Sequence, residues 1–217
     1  MRASEDDIVS NATLLIADLA GPGSVDDLDG WARDIERSWS GEPGVTRVAR
    51  YRKFNDGRAI VVAELDDGDI EGLRRKVKQR PAPHTLDVLS ATELRAHKRK
   101  DAPADPRELP FLYTVAFPVP REREADLAAW YDDEHLPMLL GCPYWVASRR
   151  FRVADGAPER WRSHLTLHYF SDPQALRSPE RDSSRVTDWR NRLAREPWFR
   201  GTYTLYLQEW PATKRLG

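Results

Sequence analysis

The sequence predicts an α+β fold built from two tandem modules, each with the element order β-α-β-β-α-β. Short apolar or alternating runs of strand length alternate with helical stripes, and Gly, Pro, Asn and Asp separate them. The same order occurs twice, with a period of about 100 residues. The chain has 217 residues, 40% of them hydrophobic, which is enough for two small modules with apolar cores.

The first module begins with an apolar run over residues 12–19 that is typical of a buried strand. Its remaining predicted elements are a helix after the N-cap Ser24, strands at 45–54 and 59–65, a helix at 70–78 and a strand at 85–94. Asn55-Asp56-Gly57 favours a hairpin turn between the two middle strands. This order is the ferredoxin-like arrangement.

A segment with three prolines and no periodicity, residues 97–110, separates the two modules and is predicted to be a linker. The modules are therefore residues 1–96 and residues 111–217. The predicted elements of the second module are strands at 111–119, 144–153, 161–170 and 202–210, a helix at 122–135 and a helical region between Pro173 and Arg195.

Matching residues in the two halves support a duplication. Leu28 and Trp31 align with Leu127 and Trp130 at an offset of 99, and a second group aligns at an offset of 100. The second group pairs Pro43, Arg50, Tyr51 and Arg52 with Pro143, Arg150, Phe151 and Arg152.

Charge and cysteine content restrict the possible partners. The net charge is −1, which gives no electrostatic case for binding nucleic acid or an anionic membrane. Cys142 is the single cysteine, which excludes an intrachain disulfide and a zinc site made of several thiolates. The first ten residues are acidic and lack a hydrophobic run, and no apolar stretch approaches the roughly 20 residues of a membrane span. We expect a cytoplasmic protein.

The densest group of reactive side chains lies at the end of the helix at 122–135. Tyr131 and His135 are i, i+4 neighbours, and Asp132 precedes His135 by three residues. Pro137 disfavours helical geometry at Leu136, so the sequence predicts that the regular helix loosens there. His135 then lies in the last turn, where the helix dipole and nearby acids favour its protonated form. It can act as a proton shuttle or as a simple C-terminal cap.

The residues Trp130-Tyr131-Asp132-Asp133-Glu134-His135-Leu136-Pro137, followed by Pro143-Tyr144 and Arg149-Arg150-Phe151, resemble the EthD-type branch of the dimeric α/β-barrel superfamily. The resemblance implies that the antiparallel sheets of two ferredoxin-like modules pair into one barrel, here within a single chain. It also implies a catalytic or substrate-contacting role for His135. In the first half the equivalent position is Ile35 or Glu36, so at most one such histidine site is expected.

Alternation along the strands sorts the possible pocket residues. We expect Leu165, Leu167 and Tyr169 to meet the helices. If the polar faces turn into the barrel, the substrate-binding candidates are Arg150, His164, His168 and Tyr206, with Trp130 beside them. The alternative is that these polar faces meet water. His164 and His168 are about 13 Å apart on an extended strand, so no metal site is expected.

Three functional hypotheses follow. The first is a cofactor-independent enzyme that carries out isomerisation, cyclisation, dehydration or decarboxylation on a small aromatic or unsaturated oxygenated compound. His135 would move the proton, and Asp132 or Tyr131 would orient it. The second is a ligand-binding or accessory protein without catalysis, and the third is a cofactor-free monooxygenase. Pairing within one chain is compatible with a monomer (an intrachain pseudo-dimer) and with a further homodimer.

Overall fold

The fold is organised around eight strands, which are seen in a computed structural model that describes residues 12–21, 25–53, 57–66, 68–78 and 85–208. The strands are β1 Thr13–Ala20, β2 Val45–Lys53, β3 Arg58–Leu65, β4 Thr85–Lys98, β5 Phe111–Phe117, β6 Trp145–Val153, β7 His164–Phe170 and β8 Thr202–Gln208. The α-helices are α1 Val25–Trp39, α2 Ile70–Lys78, α3 Glu124–Trp130, α4 Leu136–Leu139, α5 Pro179–Ser184 and α6 Asp188–Leu193. The predicted N-cap Ser24 and turn residues Asn55 and Asp56 lie outside the described ranges.

The strands close into one antiparallel barrel in the order β1-β3-β2-β8-β5-β7-β6-β4. The first half supplies β4-β1-β3-β2 and the second half supplies β8-β5-β7-β6, so corresponding strands occupy corresponding places. The predicted α+β class with a closed antiparallel barrel is confirmed. None of the helices in the described part of the chain is both long and apolar enough to span a lipid bilayer.

Two seams join the halves. At one seam β2 pairs with β8 through residues 51–53, and at the other β4 pairs with β6 over Ala91 to Lys98, with a shift in register after Glu93. This second seam explains why β4 runs four residues beyond its predicted end. His97 and Lys98, which were expected to begin the linker, pair with Ser148 and Ala147 instead.

The interior of the barrel is a packed apolar core to which every strand contributes. Leu165, Leu167 and Tyr169 of β7 lie inside it with Tyr51 and Phe151. The predicted orientation of β7 was therefore wrong, because its apolar face turns into the barrel and its His164 and His168 face turns outward. An eight-stranded barrel is just wide enough for side chains to fill, and apolar side chains fill it without leaving polar groups unpaired.

Helices cover the outer face of the sheet in both halves. In the first half, Leu28, Ile35 and Trp39 of α1 pack into a closed core with α2. In the second half, the region 173–195 is not one helix but a 3₁₀ turn followed by α5 and α6. Ser178 and Thr187 each cap a new helix by accepting a hydrogen bond from a backbone N–H, and this divides the segment.

Candidate functional site

The helix that carries Tyr131 and His135 contains a π-turn over Tyr131–His135, between α3 and α4. The N–H of Leu136 donates to the carbonyl of Tyr131, five residues back. The helix was expected to loosen before Pro137, but it continues to Leu139. Proline lacks an N–H and its ring crowds the carbonyl four residues back, so a wider turn at this point accommodates it.

The π-turn changes the neighbour of His135. In an α-helix residues four apart share a face, which predicts contact with Tyr131. The wider turn instead stacks the imidazole on Trp130, five residues back, with ring centroids 4.1 Å apart and planes 19° apart. Tyr131 meets the same ring edge-on at 5.6 Å. π-turns of this kind are frequent at functional sites.

His135 lines a cavity of about 170 Å³ between the helices of the second half and the outer face of its sheet. Its walls are aromatic or apolar on the sheet side and carry arginines on the α5–α6 side. The lining residues are Tyr113, Val115, Phe117, Trp130, Tyr131, His135, Leu139, Trp145, His168, Arg181, Arg185, Arg190, Phe199 and Tyr203. Tyr203 is 55% exposed and lies at the rim. The cavity is therefore outside the barrel, and the condition for a pocket in the interior, that the polar strand faces turn inward, is not met for β7.

The surroundings of His135 favour its neutral form. Burial lowers its pKa to about 3, the charges of Arg190 and Arg181 add to this effect, and a backbone hydrogen bond with Ser184 opposes it. Its Nδ1 is buried without a hydrogen-bond partner among the described residues. The expectation of a protonated histidine was wrong, because the helix continues past His135 to Leu139, and burial and two arginines disfavour the charged form.

His168 is also neutral, and its contacts define which nitrogen carries the proton. Its Nδ1 lies 2.7 Å from the Ser148 hydroxyl and 3.3 Å from the indole N–H of Trp145. Because an indole N–H can only donate, we assign Nδ1 as the acceptor and Nε2 as the protonated nitrogen. Burial holds the pKa of His168 well below its ordinary value, and the nearby His135 lowers it further. The ring can therefore offer an Nε2–H donor.

Asp132 does not line the cavity. Its carboxylate accepts hydrogen bonds from Arg150 at 2.6 Å and Arg95 at 3.0 Å, and it lies 3.0 Å from Nε2 of His97. Burial opposes ionisation, but His97 and the two guanidinium groups hold the pKa of Asp132 below its usual range. Asp132 and Arg150 therefore connect the π-turn to the sheet and are separate from the cavity.

Two further candidates also lie elsewhere. His164 lies 3.9 Å from Glu124 at the start of α3, and burial lowers its pKa to about 4. Tyr206 belongs to the barrel core. Of the eight predicted site residues, the structure brings four to the cavity, namely Trp130, Tyr131, His135 and His168.

The arginines of the cavity were not predicted from the sequence. Arg181 and Arg185 are four residues apart at α5 and its C-cap, and Arg190 lies in α6. The i, i+4 spacing of the first two was a detectable signal, but abundant charge elsewhere in the chain concealed it. Tyr113 of β5 and Tyr203 of β8 were missed because nothing local shows which strand face lies beneath a helix.

At the position that corresponds to His135, the first half has Ile35 or Glu36 instead of a histidine. Ile35 is fully buried in the core around α1, and Glu36 pairs with Arg50 at 2.5 Å. A second, larger cavity of about 290 Å³ lies where the two halves meet. Its charged groups largely pair with one another, as Arg149 does with Glu93 at 2.8 Å.

Within the described ranges, no group of three or more His, Cys, Asp and Glu side chains is arranged to hold a metal ion. The residues of the cavity are thus those of an aromatic pocket with two neutral histidines and three cations.

No family model matches the sequence. A search of curated proteins also finds no match. Among solved structures, the chain is similar to an anthrone oxidase-like protein, with a TM-score of 0.70 and 10% identity over 94% of each chain.

It is also similar to a mutant chlorite dismutase from Candidatus Nitrospira defluvii, with a TM-score of 0.62 and 10% identity over 94% of this chain and 92% of that one. A putative monooxygenase from Lactobacillus acidophilus has a TM-score of 0.55 and 9% identity over 92% and 94%. At these identities the likeness shows the fold alone, which is that of the dimeric α/β barrels.

Proposed function

We propose that this protein is a small-molecule enzyme that moves a proton on an aromatic or unsaturated oxygenated compound without a cofactor. The observation that carries the proposal is His135, a neutral imidazole with an unpartnered, buried Nδ1 in the wall of an aromatic cavity. A buried polar atom without a partner is costly in a folded protein, and a catalytic role is one of the recognised reasons for keeping such an atom.

The proposed chemistry assigns a different task to each histidine. The imidazole of His135 takes a proton from an acidic C–H of the substrate, and the electron pair of the broken bond moves toward the adjacent carbonyl oxygen. His168 donates its Nε2–H to that oxygen as negative charge develops on it. Ser148 and Trp145 act as positioning residues because they hold Nδ1 of His168. Return of the proton to a different atom gives isomerisation, and loss of a leaving group gives dehydration.

The test uses proton exchange, which does not require the final product to be known. Protein purified from its native host is first denatured, and any released compound is identified by mass spectrometry. Loss of its acidic C–H signals in D₂O is then followed by NMR, with phenylpyruvate as an additional probe. We expect His135→Gln to slow protein-catalysed exchange about 100-fold or more, because general bases contribute about 10²–10⁴-fold.

His164→Gln is the matched control, since His164 is a buried histidine outside the cavity. It should leave exchange unchanged. Equal exchange by wild-type protein and His135→Gln would remove His135 from the mechanism.

The cofactor-free monooxygenase hypothesis begins with the same proton removal, and the fold is shared with a putative monooxygenase and an anthrone oxidase-like protein. Oxygen consumption measured alongside exchange separates the two reactions. A tightly retained compound with no exchange and no oxygen uptake would instead support the ligand-binding alternative.

We also propose that the chain is a tandem duplication of EthD-type, ferredoxin-like modules, with the predicted boundaries at 1–96, 97–110 and 111–217 adjusted so that the first module keeps β4 through Lys98. The identical strand order in the two halves supports this proposal. So does a shared ion pair: Arg50 bonds to acids of α1, and Arg150 at the equivalent place bonds to Asp132 of the π-turn.

A further inference from the structure

The α5–α6 side of the cavity carries positive charge without internal compensation. Arg181, Arg185 and Arg190 line it, and no carboxylate appears among the described residues of its wall. Within the described part of the chain, none of the three forms an ion pair with an acidic side chain, although Arg181 donates to the backbone carbonyl of Leu176. Arg149, Arg150 and Arg160 of the second half differ in this respect, since all three have acidic partners.

The three charges act on the same polar groups of the cavity. Desolvation raises the pKa of Tyr203, and Arg190, Arg185 and Arg181 all act in the opposite direction. Burial likewise raises the pKa of Tyr113, which Arg181 opposes by charge and by a hydrogen bond. The guanidinium groups are thus close to the phenols at one end of the cavity.

The aromatic part of the cavity wall is suited to a flat ring. Trp130, Trp145 and Tyr113 form it, with Tyr113 and Trp145 meeting edge-on at 6.4 Å. The cavity volume of about 170 Å³ is close to the roughly 150 Å³ of an engineered protein cavity that holds benzene. One aromatic ring with a short substituent fills such a space, whereas a fused polycyclic compound would require the cavity to widen.

We propose that the substrate of this cavity is a single-ring aromatic acid, whose carboxylate is bound by Arg181, Arg185 and Arg190 while its ring packs among Trp130, Trp145 and Tyr113. Guanidinium groups bind carboxylates through paired, charge-assisted hydrogen bonds, which neutral ligands cannot match. This inference rests on the proposed function and specifies the class of compound on which it acts.

A bound carboxylate also has a consequence for His135. Arg181 and Arg190 lower the pKa of this histidine, and the other titratable side chains near it, His168 and Tyr131, are neutral. A negative charge placed among the arginines opposes their effect and makes the imidazole a stronger base. Proton removal would then depend on the acid group of the substrate even where that group takes no part in the reaction.

The experiment compares benzoate with benzamide, which has nearly the same shape and no charge. Binding to the full chain is measured by isothermal titration calorimetry at neutral pH. We expect benzoate to bind at least tenfold more tightly than benzamide. Arg190→Met should weaken benzoate about tenfold and leave benzamide unchanged, because it removes one cation and keeps much of the side-chain volume.

Arg195→Met is the matched control, because Arg195 is exposed near the end of α6 and does not line the cavity. It should leave both affinities unchanged. Equal binding of benzoate and benzamide, no binding of either, or equal weakening by Arg190→Met and Arg195→Met would overturn the proposal.

These outcomes are separate from those that test the proposed function, because binding needs no turnover. If proton exchange depends on His135 but benzoate and benzamide bind equally, the aromatic-acid substrate is rejected and the proton-transfer function is kept. Selective benzoate binding without His135-dependent exchange would reject the proton-transfer function.

Discussion

His135 and His168 both line the cavity, and both are neutral, but their neighbours differ. His168 has its Nδ1 held by Ser148 and Trp145, so its orientation and tautomer are determined by the protein. His135 is stacked on Trp130 and has no partner at Nδ1 among the described residues. A positioned donor and an unpartnered base are the two groups that proton transfer next to a carbonyl requires.

The low pKa of His135 predicts how stability depends on pH. In the folded state His135 takes up its proton near pH 3, whereas in the unfolded chain it does so near the ordinary pKa of 6.5. As the pH falls between these values, the unfolded state takes up more protons, so the free energy of unfolding must decrease. His164, whose pKa is lowered to about 4, acts in the same direction.

We expect His135→Gln to reduce the slope of the unfolding free energy against pH by roughly 1.4 kcal/mol per pH unit between about pH 6 and pH 4. The reason is that unfolding of the variant takes up about one proton fewer in this range. Urea unfolding of wild-type protein and variant across this range measures the two slopes. Parallel slopes would show that His135 is not held neutral in the folded protein.

The π-turn is fixed to its surroundings on two sides. Asp132 bonds to Arg150 of β6 and to Arg95 and His97 of β4. Glu134 accepts from the Thr187 hydroxyl at 2.7 Å and from the Trp130 indole at 3.1 Å, which ties the turn to the N-cap of α6. The turn that presents His135 is thus held by contacts to the sheet and to the arginine-bearing segment.

We expect Asp132→Ala to lower the free energy of unfolding by about 3 kcal/mol, because it leaves the buried Arg150 guanidinium without its acidic partner. Urea unfolding at neutral pH measures the change. Asp133→Ala is the control: Asp133 is the exposed neighbour, and its replacement should change the free energy by less than about 0.5 kcal/mol. Similar losses for the two variants would contradict the assigned role of Asp132.

At the scale of the whole molecule, the two halves complete each other. Each half presents an apolar sheet face to the barrel interior, and polar contacts between the halves occur toward its ends. At one end, Arg160 and Trp161 of the second half bond to the buried Asp18 of β1. At the other, Arg149 of β6 bonds to both oxygens of the buried Glu93 of β4.

Residues 111–217 produced alone should therefore not be a stable folded monomer. That fragment would expose its barrel face and leave the largely buried Arg149 without Glu93 and Glu64. Size-exclusion chromatography with light scattering, together with urea unfolding, tests this expectation. Self-association or aggregation agrees with it, and a monomer with a cooperative unfolding transition contradicts it.

Predictions based on local pattern succeeded for most strands and for the α1 and α2 helices. The helix at 70–78 and the starts of β2, β4, β5 and β8 lie where composition and turns indicated. Predictions that depended on packing or on pairing with another segment failed. The π-turn depends on how Pro137 is accommodated, and the extra length of β4 depends on its pairing with β6.

The sequence alone determined most of the strands and the region that supplies Trp130, Tyr131 and His135, because side-chain periodicity and turn preferences act within a few residues. Only the tertiary structure decided which strand faces turned inward, where the cavity lies and which charge His135 carries. Alternation along a strand divides its residues into two faces but does not say which one closes into the barrel. The cavity combines residues that are distant in sequence, namely Tyr113, His135, His168 and Arg190. The pKa of His135 is lowered by burial and by neighbouring charges, and both exist only after these segments pack together.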